Sequence, residues 1–381
     1  MTEWKEYKLG EIATFISEKV SVKDISVENY ISTENMVSDK GGITVATNKP
    51  LDGTITKYYP NNILVSNIRP YFKKIWFSNR DGGCSNDVLC FEANTKYINP
   101  KYLYFLLSQD LFFDYVMLGS KGCKMPRGDK SHIMNWDISL PPLPEQIRIA
   151  SILSSLDDKI DLLHRENKTL EAMAETLFRQ WFIEEAKEDW EDGKLGNFVS
   201  VIDNRGKTPP YTDNITEYPI IEVNALTGED RYVKYNLVKK YVEKDIYDFW
   251  FRGYFHKYDI FVSTVGSIGE LAMCLEEKGV IAQNVIALHA NNISPFYLYQ
   301  YLNYNKDDLK GLDIGSVQPS IKVPHLLNMS IIIPPHDKLK EYDIIMFDII
   351  EKEEKNIKQI QTLIHQRDGL LPKLMNNEIN I

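Results

Sequence analysis

The stretch SLPPLPEQIRIASILSSLDDKIDLL, residues 139 to 163, decides the fold. Pro141 and Pro142 stand just ahead of the run, and Pro144 suits the first turn of a helix. Apolar residues then return in alternating steps of four and three: Ile149, Leu153, Leu156, Ile160, Leu163, Asn167, Leu170, Ala174, Leu177 and Trp181. A seam of this period predicts a long helix that packs along another helix. Asn167 falls on the seam, where it is either a buried amide that sets register or a solvated residue on a frayed turn. At 1.5 Å rise per residue, roughly 35 to 40 residues reach about 55 Å, more than one globular unit needs to cover its core. Such a helix is a spacer.

Working outward, SIIIPPHDKLKEYDIIMFDII at residues 330 to 350 opens a second helix of the same length. Its stripe, Ile349, Ile350, Ile357, Ile360, Leu363, Ile364, Leu370, Leu371 and Leu374, is interrupted by Asn356 and Arg367. The two openings belong to a repeat. WKEYKLGEIATFI at residue 4 returns as WEDGKLGNFVSVI at residue 190, NILVS at 62 as DIFVS at 259, and INPKYLYFLLS at 98 as ISPFYLYQYLN at 293. The offset stays between 186 and 197 with the anchors in the same order, as small loop insertions in a tandem duplication produce. Each half ends in its own long helix, and two such helices in one chain pack on each other. The expected division is residues 1 to 143, a helix over 144 to 186, residues 187 to 335, and a helix over 336 to 381. Short apolar runs bounded by turn signals, with one clear helix in each half near residues 100 to 117 and 295 to 305, make both globular parts α+β.

The 381 residues suffice for two to three domains, and 43 % apolar residues can build real cores. MTEWKEYKLGEI carries no apolar signal region, and no run approaches the roughly 20 apolar residues of a membrane span. The expectation is a cytoplasmic, membrane-free protein. Cys84, Cys90, Cys123 and Cys274 form no disulfide framework and no zinc-type pair, so they read as buried thiols. The net charge of -10 excludes a global basic field for nucleic acid. Residues 1 to 140, however, carry 17 Lys+Arg against 16 Asp+Glu, so the acid lies elsewhere and local basic patches are possible. No phosphate loop, dinucleotide turn, HExxH or amino-methyltransferase tetrapeptide occurs, and the seven histidines are scattered. VGSIGE, residues 265 to 270, reads as a tight hairpin and not a cofactor turn. Neither a catalytic residue, nor a metal site, nor a cofactor is expected.

PPLPEQIRIASIL, TLEAMAETLFRQWF at 169 to 182, DIFVSTVGSIGE at 259 to 270 and RDGLLPKLMNNEI at 367 to 379 together resemble the specificity subunits of type I restriction-modification enzymes. The resemblance spans both repeats. It implies two globular α/β target recognition domains separated by two long antiparallel helices, a coiled-coil spacer with pseudo-twofold symmetry. It further implies a non-catalytic subunit that reads a bipartite target in double-stranded DNA. Two methyltransferase subunits would dock on the helices and carry the restriction subunits. The chain departs from the commoner pattern in HDKLKEY, which replaces a second PEQ-type motif, and in the irregular second seam; both bear on how symmetrically the partners dock. The helix seam is assigned to Leu153, Leu156, Ile160, Leu163, Asn167, Leu170, Leu177, Ile360, Leu363 and Leu370.

DNA contact calls for loops where cations, hydroxyls and glycines gather. GSKGCKMPRGDKSH, residues 119 to 132, offers Lys121, Lys124, Arg127 and Lys130, unless it is simply a solvated loop. Its repeat partner GSVQPSIKV, residues 315 to 323, aligns Pro319 with Pro126 and offers Gln318, Ser320 and Lys322 instead. RPYFKK offers Arg69, Tyr71, Lys73 and Lys74, although Tyr71 and Phe72 could equally be packing. NRGKTPPY, residues 204 to 211, offers Arg205, Lys207, Thr208 and Tyr211, exposed by the proline pair. Two other classes stay open: an interaction scaffold that no longer binds DNA, favoured by the acidic second half, and an enzyme with an unrecognised site.

Overall fold

The computed structural model describes residues 4 to 379 except Cys123, Lys207, Glu229, Asp230, Ser316 and Asn377. They form two compact units, residues 1 to 162 with 360 to 381, and residues 163 to 359. The first unit holds a four-stranded antiparallel sheet in the order Ala13–Phe15, Val88–Ala93, Ile63–Ser66, Ile75–Phe77. A second sheet orders Lys19–Ser21, Thr54–Tyr58, Gly82–Cys84 and Tyr30–Ile31, the last pair parallel. Lys5–Lys8 pairs with Asp137–Leu140 as a two-stranded ribbon tied by the Lys8–Asp137 ion pair. Strand runs such as NILVS are apolar on both faces because the sheet is covered on both sides: Leu64 and Cys90 face one core, Ile63, Val65, Leu89 and Phe91 the other.

The second unit repeats this plan. Its main sheet orders Val199–Ile202, Val285–Ala290, Ile260–Ser263 and Leu271–Met273, all antiparallel. Tyr218–Ile221 and Val280–Ile281 supply the parallel pair, and Glu191–Lys194 with Ser330–Ile333 the ribbon. VGSIGE lies in the connection of residues 264 to 270 between the antiparallel strands, with Gly266 and Gly269 both at positive φ, so it is a hairpin loop longer than the tight turn expected. Cys84, Cys90 and Cys274 are buried free thiols.

The helix expected near residues 100 to 117 is in fact two, Pro100–Leu107 and Asp110–Leu118. Gln109 between them is extended, at φ -69° and ψ 147°, while Ser108 turns its hydroxyl back onto the Tyr104 carbonyl at 2.7 Å. The backbone turn competes with helix continuation. Pro295–Tyr304 starts on a Ser294 cap and is followed by the separate helix Lys306–Gly311.

The two long helices are Leu143–Arg179 and His336–Met375. Within the second unit they run antiparallel, with Lys338 paired to Glu185 at one end and Asn356 bonded to Asn167 at the other. Asn356 Nδ2 donates to Asn167 Oδ1 at 2.8 Å and to Glu166 Oε2 at 2.9 Å, so Asn167 is half-buried and bonded across the seam to the buried Asn356, and does not lie on a frayed turn. Within the first unit Arg367 reaches Asp157 at 3.0 Å. The two residues that break the second stripe are thus the seam's own polar partners. Leu153, Ile160, Leu163 and Ile360 are buried, and Leu156, Leu170, Leu363 and Leu370 half-buried beside them. Leu177 departs from the expected seam: the buried stripe continues Ala174, Phe178, Phe182 in steps of four, leaving Leu177 and Trp181 at its edge. The helix there turns its aromatics into Tyr297 and Tyr342 and closes on a π turn, Gln180–Glu184, which shifts the period.

Candidate nucleic-acid interface

Each unit carries a loop clamp built from the same backbone hydrogen bonds. In the first, Asn67 N–H donates to the Asp87 carbonyl (2.8 Å), Arg69 N–H to Pro126 (2.8 Å) and Gly128 N–H to Asn67 (3.2 Å). Arg127 bridges to Ile68 and exchanges two 3.0 Å bonds with Lys121. In the second, Thr264 N–H donates to Asn284 (2.8 Å), Gly266 to Pro319 (3.0 Å), Ile321 to Thr264 (2.8 Å) and Ile314 to Ser320 (3.0 Å). Position for position, 67, 69, 87 and 127 match 264, 266, 284 and 320. The clamp brings RPYFKK and GSKGCKMPRGDKSH, which are more than 40 residues apart in sequence, to one place.

The side chains on the first clamp are charged. Arg127 is more than half exposed and its Nη2 donates to Asp87 Oδ1 at 2.6 Å. Lys121 pairs with Asp129 at 2.7 Å, and that bond, with the N–H groups of His132 and Ser131, holds the Asp129 carboxyl down at about 2. Asp129 thereby caps the helix Lys130–Met134. Lys130 opens that helix with its ammonium over the Phe15 ring, and Lys124 is exposed. Arg69 sits in the left-handed region at φ 51°, where its counterpart Gly266 sits at 84°. A non-glycine residue pays strain there, and such strain gathers at functional sites. Tyr71 is half exposed and leans on Phe72, ring centroids 4.7 Å apart, so it packs and presents a face at once. Lys73 and Lys74 turn inward: Lys73 pairs with Asp110 at 3.0 Å, and Lys74 donates to the Thr33 carbonyl at 2.7 Å, burial lowering its pKa. Of RPYFKK, Arg69 and Tyr71 remain the better candidates for contact.

The second clamp is polar but nearly neutral. Gln318 is exposed with its amide over Gly266, Ser320 is half-buried, and Lys322 is exposed at the start of the helix Val323–Leu327. A cleft of about 320 Å³ opens beside it, lined by Thr208, Tyr211, Glu222, Lys240, Val265, Gln283 and Asn284. The cleft places Thr208 and Tyr211 on its walls together with Val265, the bridge partner of Ser320. Thr208 accepts from Gln283 Nε2 at 2.6 Å, and Lys240 lies 5.1 Å over the exposed Tyr211 ring while paired with Glu222. Arg205 is not exposed by the proline pair as expected. It is half-buried, chelated by Asp203 at 2.8 and 2.6 Å, because the carboxylate two residues earlier reaches its planar fork. Lys207 lies outside the described residues. Asp87, Asn284, Gln283 and Lys240 were not legible as site residues, since each meets its partner only through the fold.

Among the described residues no group of three His, Cys, Asp or Glu side chains is arranged to hold a metal, and no helix is long and apolar enough to cross a membrane. The family model of the type I restriction modification DNA specificity domain matches residues 1–172 and again 187–366. The chain is similar to the type I restriction enzyme MjaIX specificity subunit of Methanocaldococcus jannaschii, 27% identical over 305 residues, 74% of this chain and 69% of that protein. It is also similar to the HindI specificity subunit of Haemophilus influenzae, 28% identical over 191 residues, 48% of this chain and 42% of that protein. A crystal structure of a type I restriction-modification S subunit from M. genitalium aligns over 98% of this chain and 96% of that one at 16% identity, with a TM-score of 0.60 that likens the folds.

Proposed function

The chain belongs to the family of type I restriction-modification DNA specificity domains, and we propose that it is the subunit that reads a bipartite DNA target, one half through each recognition domain. It contributes no catalysis and assembles with methyltransferase and restriction subunits that do. The observation that carries the reading is the repeated clamp: one backbone frame bears Arg69, Lys121 and Arg127 in one unit and Gly266, Ile314 and Ser320 in the other. A scaffold that had lost DNA binding has no need of two differently equipped copies. Different side chains on one frame are what two different half-sites demand.

The recognition domains are residues 1 to 143 and 187 to 335, and the long helices carry the partners. Two methyltransferase copies fit the repeat, one per helix opening. Ile344 and Phe347, exposed on the second helix, supply apolar surface for one of them. Exchanging residues 1 to 143 for the matching domain of a relative should change one half of the methylated motif and leave the other intact. Methylome sequencing of cells carrying the chimaera reads this directly, and a change in both halves overturns independent reading.

A further inference from the structure

We propose that Asp87 is the positioning residue for base readout by Arg127, holding the guanidinium so that its free edge meets a guanine in the major groove. The inference rests on the DNA-reading assignment above and adds a residue to it. Arg127 has its backbone locked by the two bonds to Lys121 and the bridge to Ile68, so only its side chain is free to move. Asp87 removes that freedom with the 2.6 Å contact to Nη2. The pair is not a core bridge, because the side chains stay 56% and 40% exposed, and an exposed ion pair adds little to stability. Ordering the arginine in advance instead lowers the cost of binding. The carboxylate takes one N–H of Nη2, and the second N–H of Nη2 with its neighbour on the fork's other edge remains a parallel donor pair that matches the N7 and O6 acceptors of guanine.

The second unit supplies an internal control. On the same frame, position 127 becomes Ser320 and position 87 becomes Asn284. The acid is present where there is an arginine to hold and is replaced by a neutral amide where there is none. A carboxylate on a DNA-facing surface repels phosphate unless a cation occupies it, so Asp87 belongs there only with Arg127.

The test uses the complex of this chain with its methyltransferase partner. The probes are duplexes carrying the motif found by methylome sequencing and each single base-pair change within it, titrated by fluorescence anisotropy at several salt concentrations. Asp87→Asn should weaken discrimination at one G·C pair of the half-site read by residues 1 to 143 by roughly tenfold, leave the other half-site and the salt slope unchanged, and be partly rescued by Asp87→Glu. Arg127→Ala should relax the same base pair, and the double variant should do no more than Arg127→Ala alone. Tighter binding of Asp87→Asn to every duplex, with a steeper salt slope, would make Arg127 a phosphate contact that Asp87 merely masks, and would overturn the proposal. A uniform loss with a lowered melting temperature would make Asp87 structural and equally sink it. If the parent complex binds no duplex at all, the DNA-reading assignment itself fails, which is a separate outcome.

Discussion

A guanidinium that reads a base and an ammonium that neutralises a phosphate leave different traces in binding data, and the proposed roles of Arg127 and Lys124 in the loop of residues 119 to 132 are one of each. Arg127→Ala should cost about 1 to 3 kcal/mol on the cognate duplex and relax one position of the motif. Lys124→Ala, at an exposed site, should weaken all sequences alike and lower the salt slope by about 1. Anisotropy titrations on cognate and substituted duplexes separate the two, and identical behaviour of both variants would remove the distinction. That cations gather in this loop was legible from its letters. That Lys73 and Lys74 turn inward was not, because Asp110 and the Thr33 carbonyl reach them from distant parts of the chain.

At the scale of elements, the departure HDKLKEY has a local explanation. Gln146 of the PEQ motif is buried, accepts from the Asn99 N–H at 2.9 Å and donates to the Tyr97 and Pro141 carbonyls, which ties the long helix to the helix Pro100–Leu107. In the second repeat Leu339 holds the matching place, and the tie moves one turn on, where the Ser294 hydroxyl donates to Asp343. The motif is thus an internal fastening that each repeat makes with different residues. A second fastening is ionic. Arg231 and Glu353 are buried against each other with Glu171 of the first long helix alongside, and the Tyr232 hydroxyl donates to Glu353. Burial pushes the Glu353 carboxyl up to about 7, against the pull of Arg231 and the Tyr232 bond. The folded protein therefore keeps a proton that the unfolded chain, titrating near the ordinary 4.5, has released. The Glu353 contribution to stability should fall as pH rises from about 4.5 to about 7, by about 3 kcal/mol, and be constant on either side. Glu353→Gln should flatten this slope, so that its urea midpoint drops less than the parent's between pH 5 and pH 8. Equal drops would show that Glu353 does not titrate in that window.

For the whole molecule, the reading of the paired helices as the ruler between half-sites makes a geometric claim. One heptad added to each helix, after Leu163 and at the facing turn of the second, keeps both seams in phase and lengthens the pair by about 10.5 Å. At about 3.4 Å per base pair the half-sites should move roughly three base pairs apart with their sequences unchanged. A four-residue insertion is a stutter that adds about 6 Å and unwinds the seam locally, so the gap should grow by about one to two base pairs with weaker activity. Methylome sequencing of cells carrying each variant measures the gap, and an unchanged gap in a folded variant would mean that something other than the helices sets it.

The sequence by itself determined the tandem repeat, the two long helices and the α+β character of each half, because these rest on periodicity and on local turn chemistry that nearby residues carry. It also pointed to Asn167 as a seam amide, since a polar residue at a strict heptad position has few other uses. Only the tertiary structure decided where the helix near residue 108 breaks, that Phe178 and Phe182 take over the seam from Leu177, and that Asp87 faces Arg127. The seam shift and the Asp87–Arg127 pair depend on side chains far apart in the chain meeting in the fold, which linear order does not record, and the break rests on the Ser108 hydroxyl competing locally for the Tyr104 carbonyl.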